Sequence, residues 1–207
     1  MSASLWDRRV VPHLVEWACG ANPVRRQRAK IVPGARGRVL ELGVGSGLNF
    51  AHYDSDAVTA VVAIDPSREL LERARVAARD VPFEVTFEEA SAEALPVDDA
   101  SFDTVVVTYS LCSIPDVAAA LLEARRALRA DGSLRFVEHG LAPDADVARW
   151  QRRLDRYWTR CAGGCHLDRD VPALLAAAGF ALEFVESLYL PGPRWLNYNT
   201  WGVARPG

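Results

Sequence analysis

The strongest chemical signal in the 207-residue chain is one loop, Glu41-Leu42-Gly43-Val44-Gly45-Ser46-Gly47. It follows an apolar run. Glycine lacks a Cβ, so such a loop lets backbone amides approach a ligand closely and opens the next helix toward it. Dinucleotide-binding enzymes use a related loop, but their G-x-G-x-x-G spacing fails because Leu48 holds the last position. An ordinary strand-to-helix turn is the bland alternative. Asp65 ends the next apolar run, where its carboxylate can accept hydrogen bonds from both hydroxyls of a ribose. Pro66 and Ser67 then start a helix, so the competing role for Asp65 or Ser67 is its N-cap. The four cysteines, Cys19, Cys112, Cys161 and Cys165, form no paired C-x-x-C. Cys161-x-x-x-Cys165-His166 matches neither a usual zinc spacing nor a haem attachment site, and no metal is expected.

These residues need elements that hold them. Apolar runs at 38–42, 60–64, 83–87, 104–108 and 133–138 alternate with helical patterns at 67–79, 117–129 and 144–160. Such alternation predicts a parallel sheet covered on both faces. A short helix over 169–178 and two strands at 180–189 and 197–205 close the chain. The loop Pro191-Gly192-Pro193 joins the two strands, which must therefore be antiparallel. Trp6, Val10, Val11, Leu14, Val15 and Trp17 recur at helical spacing and predict an amphipathic N-terminal helix. A lid over the site is its expected role, with contact to a membrane surface as the alternative. The basic run Arg25-Arg26-Gln27-Arg28-Ala29-Lys30 reads as a solvated helix face.

The totals narrow the class. A net charge of -3 and a pI near 5.8 argue against a general nucleic-acid surface. No apolar stretch approaches the roughly 20 residues of a membrane span, and no secretory signal is present. The expectation is one cytoplasmic domain, 1–207, monomeric and in a reducing compartment. It divides into a helical cap (1–35), a ligand-binding core (36–140) and a section carrying the final helices and strands (141–207).

Glu89-Ala90-Ser91-Ala92-Glu93-Ala94-Leu95-Pro96 and Asp98-Asp99-Ala100-Ser101-Phe102-Asp103 make a third element. With the glycine loop and Asp65, the combination resembles the ubiquinone/menaquinone-type group of S-adenosylmethionine methyltransferases over about residues 37–140. The resemblance implies a Rossmann-like class I α/β fold with a mostly parallel seven-stranded sheet, order 3-2-1-4-5-7-6. It also implies S-adenosylmethionine as cofactor. Glu41, Gly43, Gly45, Gly47, Asn49, Asp65, Pro66, Ser67, Ser91, Ala92, Glu93 and Thr108 are its expected contacts. In that group an acid before Ala92 commonly binds the adenine amino group. Ser91 stands there instead, so a backbone amide or nearby Glu93 must serve. Asp99 and Asp103 read as turn and strand-start residues.

A narrower likeness lies further on. Thr108-Tyr109-Ser110-Leu111-Cys112-Ser113-Ile114, Glu138-His139-Gly140, Trp150-Gln151, Leu154-Asp155, Trp158 and Gly164-Cys165-His166-Leu167 occur in that order. The set resembles alkyl-thiol methyltransferases, and bacterial dithiol methyltransferases often labelled as phosphatidylethanolamine N-methyltransferase homologues, over about residues 37–205. Animal thiol enzymes of this kind carry an N-terminal membrane anchor; none is expected here, and a soluble small thiol is therefore expected over a lipid. A natural-product thiol or a toxic sulfide fits. N-methylation of an ethanolamine-type head group, or C- or O-methylation of a quinone-like ring, is the alternative. A cofactor-binding protein without catalytic power is the reading from another class.

A thiol suits the apparatus. Aligning a nucleophile with a sulfonium methyl group can supply roughly 7–11 kcal/mol of the barrier. A thiol of pKa near 8.5 needs only about 2 kcal/mol to ionise at neutral pH. His139, at the C-terminal end of the fifth strand, is the first candidate for a base or thiolate-stabilising group. A histidine hydrogen-bonded to a loop is the competing reading. His166 is the second candidate, and His13 and His52 are weaker. Tyr109, Cys112, Trp150, Trp158 and Trp195 are expected to line an apolar substrate wall, with Tyr157 a further candidate and core packing the alternative for the aromatic residues. Cys112 is expected to act as a small apolar group, since the reaction needs no covalent enzyme intermediate.

Overall fold

The computed structural model describes residues 19–207. The expected helix through Trp6 and Trp17, its lid role and His13 lie outside these residues. Among them are strands β1 (Gly37–Leu42), β2 (Val58–Asp65), β3 (Glu84–Glu89), β4 (Phe102–Thr108), β5 (Leu128–His139), β6 (Phe180–Tyr189) and β7 (Tyr198–Pro206). The helices are α1 (Asn22–Ile31), α2 (Arg68–Ala77), α3 (Val117–Ala127), α4 (Ala145–Cys161), α5 (Val171–Ala177) and the one-turn α6 (Arg194–Asn197).

The strands form one sheet in the order β3-β2-β1-β4-β5-β7-β6. The first five pair in parallel, and β7 runs antiparallel to both β5 and β6. Its centre is β4, whose Val105, Val106 and Val107 are all fully buried. A strand covered on both faces cannot alternate with polar residues, and this one does not. Leu40, Leu42, Val62, Ile64, Val105 and Val107 pack with Leu121 and Ala124 of α3 and Leu175 of α5. Val39, Val61, Ala63 and Val106 join Leu71 and Ala74 of α2 in a second cluster. Each large side chain removed from water in this way contributes about 1.5–3 kcal/mol.

Side-chain caps start three helices. Ser67 Oγ accepts from Leu70 N–H, Asp116 from Ala119 N–H and Asp170 from Ala173 N–H. Capping by Ser67 fixes where α2 begins, and hence where Asp65 leaves the sheet.

The structure departs from the sequence expectations in three places. The glycine loop does not open an α-helix. Turns and a single 3-10 turn (Phe50–His52) follow it, because Asn49 is drawn inward and Asp54 makes a side-chain turn with Asp56 N–H. β5 starts at Leu128, directly after α3, where Leu128 pairs with Phe102 instead of extending the helix. Finally, the basic run is not a solvated face throughout, because Gln27 and Arg28 of α1 are buried at 5% exposure.

Candidate active site

Because β1, β2 and β4 run parallel, their C-terminal ends meet along one edge, and a cavity of about 790 Å³ opens there. That volume lies in the range of small-molecule sites. Gly43, Gly45, Asp65, Pro66, Ser67, Ser91, Ala92, Glu93, Thr108 and Tyr109 all line it. Glu41, Gly47 and Asn49 do not line it; Glu41 and Asn49 lie beneath it, bonded to the network of Arg28 and Thr108, and Gly47 packs against Phe50 and Ala77.

Two glycines shape the rim. Gly43 has φ +68°, and a Cβ there would lie 2.3 Å from Ser110 Oγ. Gly45 has φ +56° and faces open space, so its backbone is bare to whatever enters the cavity. Its N–H donates to Asp65 Oδ2 at 2.9 Å, and Ser67 N–H donates to Oδ1 at 2.8 Å. Each carboxylate oxygen keeps a second lone pair. Burial raises the Asp65 pKa, while the two amides act to lower it. This bare loop beside a braced acid fits the sugar and backbone contacts of S-adenosylmethionine.

The floor is a polar network. Glu41 Oε1 accepts from Asn49 Nδ2 at 2.9 Å, and Oε2 accepts from the Tyr53 hydroxyl at 2.7 Å. Burial pushes the Glu41 carboxyl up to about 7, although both hydrogen bonds oppose that shift. Arg28 Nη1 donates to Asn49 Oδ1 at 3.0 Å and to Thr108 Oγ1, with its guanidinium over the Tyr109 ring. Tyr109 has φ +55°, rare for a bulky residue, and its hydroxyl donates to Asn199 Oδ1 at 2.7 Å. Backbone strain of this kind concentrates at functional sites. Ser91 Oγ donates to Glu93, and Glu93 Oε1 accepts Asp116 N–H, which ties this loop to the start of α3. Asp99 pairs with Arg126, and Asp103 with Arg129 and Arg38 N–H, as structural residues.

Ser110 and Ser113 to Pro115 after β4, with Thr159, Arg160 and Ala162 to Gly164, form the far wall of the cavity. Directly behind it, His139 Nε2 lies 3.0 Å from Cys165 Sγ, and Trp158 Nε1 donates to the same sulfur at 3.4 Å. Cys112 Sγ completes this cluster. A hydrogen bond from the Cys165 thiol, followed by the charge of His139, holds the Cys112 thiol well below its ordinary value. Burial lowers His139, but the adjoining Cys112 thiolate outweighs that and raises it. Cys112 is thus a hydrogen-bonded member of a polar cluster, where an inert apolar liner was expected.

His166 is arranged differently. Its Nδ1 pairs with Asp155 Oδ2 at 2.9 Å, and Asp155 Oδ1 accepts Leu167 N–H at 2.6 Å. Of the aromatic residues expected on the substrate wall, Trp150 and Tyr157 are more than half exposed. Trp158 and Trp195 stack edge to face at 5.7 Å. None of these four lines the cavity; Tyr109 does. Sequence reasoning missed Arg28, Cys165 as a partner of His139, and Asp155 as a partner of His166. It also missed Glu138, buried with Oε1 accepting Ser110 and Leu111 N–H at 2.8 and 3.0 Å. The Glu138-His139 pair stood in the quoted motifs, but nothing in its spacing marks the acid as a support for the loop after β4.

Comparison with known proteins agrees with this geometry. Residues 40–136 match a family model described as a methyltransferase domain. Human thiol S-methyltransferase TMT1B is 32% identical over 173 residues, which cover 81% of this chain and 70% of that protein. Phosphatidylethanolamine N-methyltransferase of Cereibacter sphaeroides is 33% identical over 135 residues, 64% of this chain and 66% of that one. The chain spans about two thirds of the length of the curated relatives it matches. The crystal structure of YcgJ from Bacillus subtilis superposes with a TM-score of 0.65 at 25% identity, covering 84% of this chain and 75% of that one.

Proposed function

The chain belongs to the S-adenosylmethionine-dependent methyltransferases, and we propose that it methylates the sulfur of a small-molecule thiol or dithiol by direct transfer. The observation that carries this reading is the far wall. The two segments that close the cavity opposite the glycine loop are adjoined by two groups whose side chains do not themselves line it, the Cys112–His139–Cys165 cluster and the His166–Asp155 pair. When bound, S-adenosylmethionine supplies an electrophilic methyl group on a positively charged sulfur. Asp65 would hold its ribose, the bare Gly43–Gly45 backbone would lie along it, and Ser91 to Glu93 would border its adenine end.

The remaining requirement is to hold an acceptor in line. With its Nδ1 engaged by Asp155, His166 has Nε2 left to meet a thiol. A thiol loses its proton to water at small cost, so the chain must supply orientation more than basicity. N-methylation of an ethanolamine head group is served less well. An ethanolamine ammonium must give up a proton before its nitrogen can attack, whereas a thiol ionises close to neutral pH.

The test is incubation of the full chain with methyl-labelled S-adenosylmethionine and a panel of thiols, amines and phenols. Label is expected on sulfur alone. Label on nitrogen, carbon or oxygen overturns the reading.

A further inference from the structure

We propose that Cys112, His139 and Cys165 form a binding site for a thiophilic d10 metal ion, zinc in the first place, that clamps the far wall of the cavity. Their ligand atoms, two Sγ and one imidazole N, lie within 4.8 Å of one another. Zinc bonds of about 2.3 Å to sulfur and about 2.0 Å to nitrogen set tetrahedral ligand atoms roughly 3.5–3.8 Å apart. The His139–Cys165 distance of 3.0 Å needs to open by only about half an ångström to meet this.

The donor set is soft, and it selects zinc or cuprous ions over magnesium or calcium. The three residues come from separate places in the chain: the loop after β4, the end of β5 and the loop after α4. A metal would therefore cross-link three segments that hydrogen bonds already hold side by side, among them His166 N–H to the Cys112 carbonyl at 2.8 Å and Ser110 N–H to Glu138 Oε1 at 2.8 Å.

Two further observations fit a cation. Trp158 Nε1–H is aimed at Cys165 Sγ, the kind of support that metal-bound ligands receive from outside the coordination sphere. Glu138, next to His139 in the chain, is fully buried, and its Oε2 has no hydrogen-bond partner. A divalent ion would offset that uncompensated acceptor. Binding releases to solvent the Cys165 thiol proton and the proton held by the Cys112–His139 pair, and leaves a fourth position outside the protein's own ligands. The proposal stands apart from the identity of the methyl acceptor, because metal content is measured without any substrate.

The experiment is dialysis of the reduced full chain against zinc, followed by elemental analysis. One ion per chain is expected. C112S and C165S should each lose it, while C161S, which alters an exposed cysteine outside the cluster, should keep it. Cobalt loading of the unaltered chain provides a check that needs no variant, and a thiolate-to-metal charge-transfer band in the near ultraviolet is expected. Zinc content in C112S and C165S equal to that of the unaltered chain, no zinc above the buffer blank, or a Cys112–Cys165 disulfide in the reduced preparation would each overturn the site.

Discussion

At Asp65 one backbone amide reaches each carboxylate oxygen, so the acid is braced before any cofactor arrives. Asp65→Ala should weaken S-adenosylmethionine binding at least about tenfold, roughly 1.4 kcal/mol, by calorimetry. Unchanged affinity would remove Asp65 from the cofactor site. His166→Ala should lower turnover of a thiol by about tenfold or more and leave cofactor affinity within about twofold. Equal turnover in variant and parent would make His166 structural. At this scale the sequence was most legible where backbone conformation dictates residue type. Gly43, Gly45 and Asp65 were readable because a positive φ and a strand-end carboxylate leave few options. Cys165 and Asp155 were not, since their partners His139 and His166 lie 26 and 11 residues away and no period marks such contacts.

Between elements, Arg28 does what its neighbours in the basic run do not. It reaches from α1 across the floor to Asn49 after β1 and to Thr108 at the end of β4. Arg28→Leu strips two charge-assisted hydrogen bonds from the buried network and should destabilise the fold by about 2–4 kcal/mol in denaturant titrations. A change below about 0.5 kcal/mol would show that the guanidinium ties nothing together. Strand and helix periods were legible throughout the core, because burial on two faces imposes them. The solvated-face reading of residues 25–30 failed at Arg28 because charge runs are judged by composition, whereas one buried partner redirects a single side chain. The absent helix after Gly47 has a similar cause. Asn49 spends its side chain on Glu41 and Thr108, and that tertiary demand overrides the local tendency.

Over the whole molecule, the described helices include none long and apolar enough to cross a membrane. Stability should carry the signature of Glu41. Its folded pKa, pushed up to about 7 by burial, lies above the ordinary 4.5, so the folded state binds more protons between these values. Stability should therefore fall as pH rises from about 4.5, with Glu41 contributing up to about 3 kcal/mol by about pH 7 and Glu138, pushed up to about 8 by burial, carrying the fall further. Glu41→Gln should flatten that slope, as read by denaturant unfolding at about pH 5 and about pH 8. An identical slope in the variant would assign the pH dependence elsewhere. The sheet order was legible from the resemblance. The acceptor wall was not, because it forms only when the β4 loop, the β5 end and the α4 loop converge.

Methyl transfer to sulfur is tested most directly by a matched competition. 2-Mercaptoethanol and ethanolamine differ only in the nucleophile, so size and hydroxyl contacts cancel when both meet the loaded enzyme in one vessel. The S-methyl product should appear with no N-methyl product beside it. N-methylethanolamine as the main product would contradict the account.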